Sequence, residues 1–160
     1  LPVAGVTEPV ESVKEREHVD GGHETVLVCE DESGVRDLVC RILQTKGYQV
    51  LSADRPSRAI EMARSHQGSI DLLLTDVVMP EMKGPELAEA LRNVTPVLHI
   101  LYVSGYTENI LDQHGINTEG VAFLHKPFSS RELLRHTRTL LDQRGSGGHA
   151  VRQERARSKR

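Results

Sequence analysis

The chain has few aromatic residues, no tryptophan and no long apolar run. Aromatic side chains make up 3% of its 160 residues, which argues against a surface that stacks bases or sugars. No apolar stretch approaches the roughly 20 residues that a membrane-spanning helix needs, and no secretory signal opens the sequence. A formal net charge of -3 provides no bulk attraction to nucleic acid or membranes. We therefore expect neither as a partner.

Cysteine is also scarce. Cys29 and Cys40 are the only two, one in a predicted strand and one on a predicted helix face, so we expect both to behave as small buried hydrophobic residues. This usage favours a reducing, cytoplasmic setting. A length of 160 residues is enough for one domain with a substantial core.

The two ends differ in composition from the middle. Residues 1–24 hold six acidic and two basic residues with several Pro and Gly, and we interpret them as a disordered linker. Residues 145–160 hold five basic residues and one acidic residue. A basic tail of this kind can touch nucleic acid, but without interleaved aromatic residues a solvated, disordered tail is the favoured interpretation. The domain itself is predicted to span 25–144.

Strand and helix patterns alternate through that middle region. Short apolar runs predict strands at 25–29, 48–52, 70–75, 97–103 and 121–125. Helical periodicity fills the intervals, with a first helix capped by Ser33 and stopped at Gly47, and later helices at about 56–66, from Pro85 and at 108–114. The last helix is predicted from the apolar spacing of Leu133, Leu134, Thr137, Leu140 and Leu141. This alternation predicts an α/β fold: a doubly wound, five-stranded parallel sheet with helices on both faces.

Polar residues directly follow four of the predicted strands. They are the pair Glu30 and Asp31, then Asp76, Ser104 and Lys126. Because the carboxyl ends of parallel strands meet at one edge of a sheet, we expect these side chains to share a cleft. For any one carboxylate alone, the alternative is that it is a solvated residue that merely ends a strand. Five coincidences of spacing favour a common site.

The chemistry of this set suits a divalent cation and a phosphoryl group. Carboxylate oxygens are the hard ligands that Mg²⁺ prefers, and the Lys126 ammonium can neutralise a phosphoryl oxygen or pair with Asp76. Pro127 follows Lys126, which makes this peptide bond a candidate for the cis form. Asp76 is a candidate nucleophile, since carboxylates form acyl phosphates. Neither a phosphate-binding glycine loop nor a metal-binding histidine motif is present.

The motifs CEDES, LLLTDVVMPEMKGPEL, YVSGYT and FLHKPF together resemble the response-regulator receiver domains of two-component signalling, over about 120 residues. The resemblance implies the flavodoxin-like receiver fold, with Asp76 as phosphoacceptor. It further implies a Mg²⁺ site formed by Asp76, by Asp31 directly, by Glu30 through water, and by the backbone carbonyl of Val78.

The resemblance also assigns roles in switching and suggests partners. Ser104 and Lys126 would contact the phosphoryl group, and Phe123 takes the aromatic switch position. The chain resembles receivers fused behind hybrid sensor histidine kinases. We expect either a free receiver or the C-terminal piece of a larger kinase, and a start at Leu1 favours a piece. Implied partners are a histidine kinase or a histidine phosphotransfer protein, and a second copy bound through the face of the fourth helix, fifth strand and fifth helix.

Two other functions compete with the receiver interpretation. An aspartyl-nucleophile phosphatase would need a second acid two residues after the nucleophile, where this chain has Val78. A phosphorylation-independent interaction module would usually have lost Asp76, one of the acidic pair or Lys126, and this chain retains them all. Phosphoryl transfer onto Asp76 with self-catalysed phosphorylation and dephosphorylation, rather than turnover of a substrate, is therefore the expected activity.

Overall fold

Strands and helices alternate along the chain as the sequence predicts. The computed structural model describes residues 19–96, 98–117 and 119–143. Within these ranges the strands are β1 (Thr25–Cys29), β2 (Gln49–Ala53), β3 (Leu72–Asp76), β4 (His99–Ser104) and β5 (Ala122–His125). The helices are α1 (Ser33–Thr45), α2 (Pro56–Ser65), α3 (Gly84–Arg92), α4 (Glu108–Gln113) and α5 (Ser130–Asp142). The predicted tail, 145–160, and residues 1–18 of the predicted linker lie outside the described residues.

The five strands form one parallel sheet in the order β2-β1-β3-β4-β5. Val26 of β1, for example, lies opposite Val50 of β2 on one side and Leu72 of β3 on the other. The chain moves outward from β1 to β2 and then returns to build the other half of the sheet. This reversal lets helices cover both faces and produces the predicted doubly wound architecture.

β1 and β3 are buried on both faces of the sheet. Leu27 and Cys29 belong to one apolar cluster, whereas Val26 and Val28 belong to the other. On the first face α2, α3 and α4 contribute Ala59, Ala63, Leu87, Leu91 and Leu111, and on the second α1 and α5 contribute Val39, Leu43, Leu133 and Leu141. Burial on both sides explains why these strands have continuous apolar sequences instead of alternating ones.

The two ends of α1 test the predicted helix signals. Ser33 is the first helical residue and Glu32 is the N-cap, so the prediction of Ser33 as the cap is wrong. The reason is that the helical hydrogen bonds begin at the Glu32 carbonyl, which accepts from the Arg36 amide at 2.9 Å. At the other end Gly47 has φ +92° and its amide donates to the Gln44 carbonyl at 3.0 Å. Gly47 therefore ends the helix as predicted.

Several other boundaries shift by one or two residues. β3 ends on Asp76 itself, α3 begins at Gly84 and not at Pro85, and α4 is a short helix that ends at Gln113. Residue 97, where the fourth strand is predicted to begin, lies outside the described residues. The Thr107 side chain caps α4 by accepting from the Ile110 amide. None of the described helices has the length and apolarity that crossing a bilayer requires.

The residues just before β1 pack onto the domain, although the sequence places them in the linker. The Gly22 amide donates to the Lys46 carbonyl at 3.1 Å. The Glu24 carboxylate pairs with the Arg138 guanidinium of α5, which also donates to the Gly21 carbonyl. We call residues 19–24 the leading segment. The domain boundary at residue 24 stays a prediction, and sequence composition does not reveal this long-range pairing of the leading segment.

Candidate functional site

The carboxyl edge of the sheet brings together the side chains that follow its strands. Asp76 is the last residue of β3 and Ser104 the last of β4, while Glu30 and Lys126 directly follow β1 and β5. The register is continued past the strand ends, where the Lys126 amide donates to the Ser104 carbonyl at 2.9 Å. Because these four strands are neighbours, residues far apart in sequence lie side by side.

Three carboxylates crowd into this edge. One oxygen each from Glu30, Asp31 and Asp76 lies within 4.8 Å of the others. Glu30 is 2% exposed and Asp76 is 9% exposed, whereas Asp31 is open to solvent. This gradient leaves one side of the acidic group accessible. Hard oxygen donors with an open side have the chemistry of a site for Mg²⁺, which keeps several of its waters.

Lys126 bridges two of the carboxylates. Its Nζ donates to Glu30 Oε2 at 2.8 Å and to Asp76 Oδ2 at 2.9 Å. The Lys126 side chain is 19% exposed, so the three groups interact in a partly desolvated setting where charge pairing is stronger than in water. The Lys126–Pro127 peptide bond is cis. The ammonium thus lies between the buried Glu30 and the last residue of β3.

The pKa values of these groups reflect competition between burial and pairing. Burial raises the pKa of Glu30, the Lys126 ammonium opposes this, and the Asp76 charge adds to it. Burial alone would lower the pKa of Lys126, but its hydrogen bonds to Glu30 and Asp76 outweigh that effect and raise the pKa above its ordinary value. Lys126 is therefore an ammonium at neutral pH.

The loop after β3 folds back against Asp76. The Val78 amide donates to Asp76 Oδ1 at 3.2 Å, and the Gly84 amide donates to the Val77 carbonyl at 2.8 Å. A Cβ atom at Gly84 would lie 2.5 Å from the Asp76 carbonyl oxygen, so this position requires glycine. The turn places the backbone of Val78 directly beside the acidic group.

Ser104 and Phe123 lie near the site, and their own contacts are to residues other than the three carboxylates. The Ser104 hydroxyl is fully buried and accepts from the Tyr106 amide at 3.0 Å. Phe123 is half-buried, and its ring centroid lies 4.6 Å from that of His125. The Phe123 ring also lines a cavity of about 350 Å³ that includes Tyr102 and Ile116. Phe123 thus packs partly against the apolar core and borders open space.

Two contributors to the site are missed by the sequence analysis. The Arg36 Nη1 donates to the Glu30 carbonyl at 2.9 Å, and the buried Thr75 hydroxyl donates to the Asp76 carbonyl at 2.9 Å. Each of these bonds fixes the backbone carbonyl of an acidic residue of the site. Thr75 is a polar residue that directly precedes Asp76 at the end of an apolar run, which is a usable signal. Arg36 has no comparable signal, because an arginine in the first turn of a helix is ordinary.

Fold and site together define a parallel α/β domain with an acidic, lysine-bridged cluster at the carboxyl edge of its sheet. The model of the protein family described as the response regulator receiver domain matches residues 26–138 of this chain. The chain therefore belongs to the response regulator receiver domain family and is a receiver domain of two-component signalling. The flavodoxin-like fold expected from the sequence motifs is confirmed.

Two relatives show the range of proteins in which this domain occurs. The chain is 36% identical over 142 residues to the sensor kinase CckA of Brucella abortus (strain 2308), a match that covers 89% of this chain and 15% of that kinase. It is 33% identical over 116 residues to the response regulator receiver protein CpdR of the same strain, covering 72% of this chain and 95% of CpdR. The chain thus spans a small part of the kinase and nearly all of the receiver protein.

Solved structures agree with this assignment. The crystal structure of the receiver domain from the hybrid histidine kinase CckA superposes with a TM-score of 0.62 at 33% identity, over 73% of this chain and 98% of that one. A response regulator receiver protein from Sinorhizobium medicae WSM419 gives a TM-score of 0.66 at 28% identity, over 76% and 97% of the two chains.

Proposed function

We propose that this domain accepts a phosphoryl group on Asp76 in a Mg²⁺-dependent reaction and changes conformation in response. The observation that carries the proposal is the Lys126 ammonium, which bridges Glu30 and Asp76 beside the open Asp31 carboxylate. Two-component signalling requires a phosphoacceptor, and this cluster contains a carboxylate that ends a strand next to a cation and two further acids. The donor would be a histidine kinase or a histidine phosphotransfer protein.

The donor set fits Mg²⁺. Asp31 and Asp76 would bind it directly, Glu30 would act through water, and the Val78 carbonyl would complete the protein ligands. Bound Mg²⁺ supplies a Lewis acid that neutralises charge on the phosphoryl oxygens. Without it, three carboxylates outnumber the Lys126 ammonium and the Arg36 guanidinium and leave the site negative, which opposes the approach of an anionic donor.

The transfer step is a displacement at phosphorus. An Asp76 carboxylate oxygen forms a bond to the phosphorus as the bond from phosphorus to the donor histidine nitrogen breaks, and the electron pair leaves with the imidazole. Lys126 already contacts Asp76 Oδ2 at 2.9 Å, so its ammonium is placed to stabilise charge on the transferring group. The resulting acyl phosphate is a single covalent adduct that water later hydrolyses.

The switch would use Ser104 and Phe123. Phosphorylation replaces the single negative charge of the Asp76 carboxylate with the nearly two negative charges and three acceptor oxygens of a phosphoryl group. We infer that the Ser104 hydroxyl leaves the Tyr106 amide, its partner at 3.0 Å, to donate to a phosphoryl oxygen. Phe123 has the 350 Å³ cavity beside it, which gives its ring space to move. The phosphoryl group would then bias a two-state equilibrium.

The surface affected by this switch is formed by α4, β5 and α5. Ile110 of α4 and Val121, which directly precedes β5, are exposed apolar residues, at 36% and 40% exposure, and this supports the proposal of a homodimer through this face. Light scattering after chromatography, with and without a small phosphodonor, tests it. A mass that stays that of one chain under both conditions would exclude the dimer. The cytoplasmic location stays a prediction.

The test of phosphoacceptor function is incubation with a small acyl phosphate or phosphoramidate and Mg²⁺, followed by intact mass measurement. We expect one phosphoryl adduct, lost in Asp76→Asn and in the presence of a metal chelator. Asp54→Asn is the matched control, because Asp54 is a solvent-exposed aspartate that directly follows β2 at the same sheet edge. The Asp54→Asn variant should accept the phosphoryl group as the unchanged chain does.

Other outcomes identify the competing functions. No adduct despite bound Mg²⁺ would favour the phosphorylation-independent interaction module. Repeated release of phosphate from phosphomonoesters would identify an aspartyl phosphatase. An adduct that persists in Asp76→Asn would remove Asp76 from its proposed role.

A further inference from the structure

Glu81, in the loop between β3 and α3, has a strained backbone. Its φ is +75°, the one positive φ of a non-glycine residue within the described ranges. The Met82 amide donates to the Pro80 carbonyl at 3.0 Å, which closes a tight three-residue turn around Glu81. A side chain in this conformation is disfavoured, and turns of this hand are rare. Such strain persists only where surrounding contacts hold the residue in place.

The Glu81 side chain makes those contacts to a different element, the start of α2. Its Oε2 accepts from the Ser57 amide at 3.0 Å and its Oε1 accepts from the Ser57 hydroxyl at 3.1 Å. The N-cap residue Arg55, which directly precedes α2, forms no side-chain cap hydrogen bond. Glu81 therefore replaces the missing local cap and places a negative charge at the positive end of the helix.

The loop that Glu81 holds is the loop that borders the acidic cluster. Val78 lies three residues before Glu81, and its amide donates to Asp76 Oδ1 at 3.2 Å. Met79 is buried in the core that includes α2 and α3. The path of the backbone at Val78 is thus determined by Asp76 before it, by the buried Met79 directly after it, and by the Glu81–Ser57 contact at the tip of the loop.

We propose that Glu81 is a positioning residue for the metal site: its double hydrogen bond to Ser57 holds the β3–α3 loop in the strained conformation that presents the Val78 backbone to Mg²⁺. This inference rests on the proposed function, because it assigns Glu81 a role in the same site. It requires that Mg²⁺ affinity depends on the hydrogen bonds of Glu81 and does not depend on its negative charge alone.

Two substitutions separate these contributions. Glu81→Ala removes the hydrogen bonds and the charge, whereas Glu81→Gln removes the charge but retains an amide oxygen for the Ser57 amide and an NH₂ group for the Ser57 hydroxyl. Glu61→Ala is the matched control. Glu61 lies in α2, the helix that Glu81 caps, and its exposed carboxylate pairs with Arg58. All are made in the full chain.

The measurement is a titration with MgCl₂, followed by the NMR shifts of the backbone amides of Asp31 and Val78. We expect Glu81→Ala to weaken Mg²⁺ binding by roughly tenfold, the lower end of the range for residues that support a metal ligand from outside the ligand shell. Glu81→Gln and Glu61→Ala should bind Mg²⁺ within about twofold of the unchanged chain. Thermal unfolding of the same metal-free samples reports any general loss of stability.

Three results would overturn the inference. Equal Mg²⁺ affinity in all variants, even with a lower unfolding temperature for Glu81→Ala, would reduce Glu81 to a helix cap. Equal losses in Glu81→Ala and Glu81→Gln would assign the effect to charge. Failure of the unchanged chain to bind Mg²⁺ would refute the proposed metal site itself, and it is distinguished from the first two results because it appears without any substitution.

Discussion

At the scale of single residues, the functional site is a region of unbalanced charge. Three carboxylates lie within 4.8 Å of one another, and Lys126 supplies one ammonium, bonded to Glu30 and Asp76. The Lys126 hydrogen bonds go to Glu30 and Asp76, so the exposed Asp31 adds a further negative charge to the cluster. Repulsion among like charges opposes folding, whereas the same charges favour a bound cation. Under the proposed function, stability is given up here for the capacity to bind a cation.

Asp31→Asn should make the metal-free protein more stable. The substitution removes one of the mutually repelling charges, and we expect a gain of about 0.5–1 kcal/mol in the free energy of unfolding, a modest figure because Asp31 is exposed. Urea unfolding without metal measures the gain. In the same experiment with added MgCl₂, the unchanged chain should become more stable and Asp31→Asn should not. A loss of stability in metal-free Asp31→Asn would contradict this account of the charges.

At the scale of secondary-structure elements, α5 contains an unusual buried group. Thr137 is 0% exposed, and its hydroxyl oxygen lacks a hydrogen-bond partner within the described part of the chain. It lies in the same helix as Leu133, Leu134 and Leu141, which pack against the sheet. A buried hydroxyl without a partner costs free energy, because it has lost its bonds to water.

Thr137→Val should therefore stabilise the domain. Valine has nearly the same shape and removes the unpaired hydroxyl, so we expect a gain of about 1 kcal/mol in the free energy of unfolding. Thr75→Val is the matched control, since Thr75 is equally buried but donates to the Asp76 carbonyl at 2.9 Å. That variant should lose about 1 kcal/mol. Both are measured by urea unfolding, and a loss in Thr137→Val would show that its hydroxyl has a partner.

At the scale of the whole molecule, an ion pair joins the leading segment to α5. Glu24 and Arg138 are 114 residues apart in sequence, and Arg138 Nη1 also donates to the Tyr48 hydroxyl at 3.2 Å. The backbone approaches so closely that a Cβ atom at Gly22 would lie 2.5 Å from Arg138 Nη1. The pair thus joins the leading segment to α5, the last helix of the domain.

This pair should govern part of the acid stability. The hydrogen bond from Arg138 lowers the pKa of Glu24 from 4.5 to about 2. Since the pKa is depressed in the folded state, the stabilisation is fully present above pH 4.5 and is lost as the pH falls towards 2. Glu24→Gln should lose roughly 1–2 kcal/mol at pH 7, because solvent screens part of the pairing, and show a smaller further loss between pH 4.5 and 2.

Urea unfolding at a series of pH values measures this dependence. Glu61→Gln is the control, because the Glu61 side chain is 69% exposed and forms a surface pair with Arg58. It should change the free energy of unfolding by less than about 0.5 kcal/mol. An acid profile of Glu24→Gln that runs parallel to that of the unchanged chain would show that this pair does not control acid stability.

The success of the sequence predictions varied with how local their causes are. β1 and β3 are predicted well because burial on both faces leaves a continuous apolar run in the sequence. The Ser33 cap is predicted wrongly, since a local pattern does not show that the turn begins at Glu32. The sequence places the leading segment in a linker because its composition is acidic and glycine-rich, and it does not reveal that Arg138 gives Glu24 a partner.

By itself the sequence determined the alternation of strands and helices and the polar residues that follow four strands, because burial periodicity and strand ends are local properties. Only the tertiary structure decided which polar residues from distant parts of the chain touch. Lys126 meets Glu30 across 96 positions, Glu81 meets Ser57 across 24 and Arg138 meets Glu24 across 114. Such contacts depend on strand order and helix packing, which bring distant segments together, and no local pattern specifies the partner.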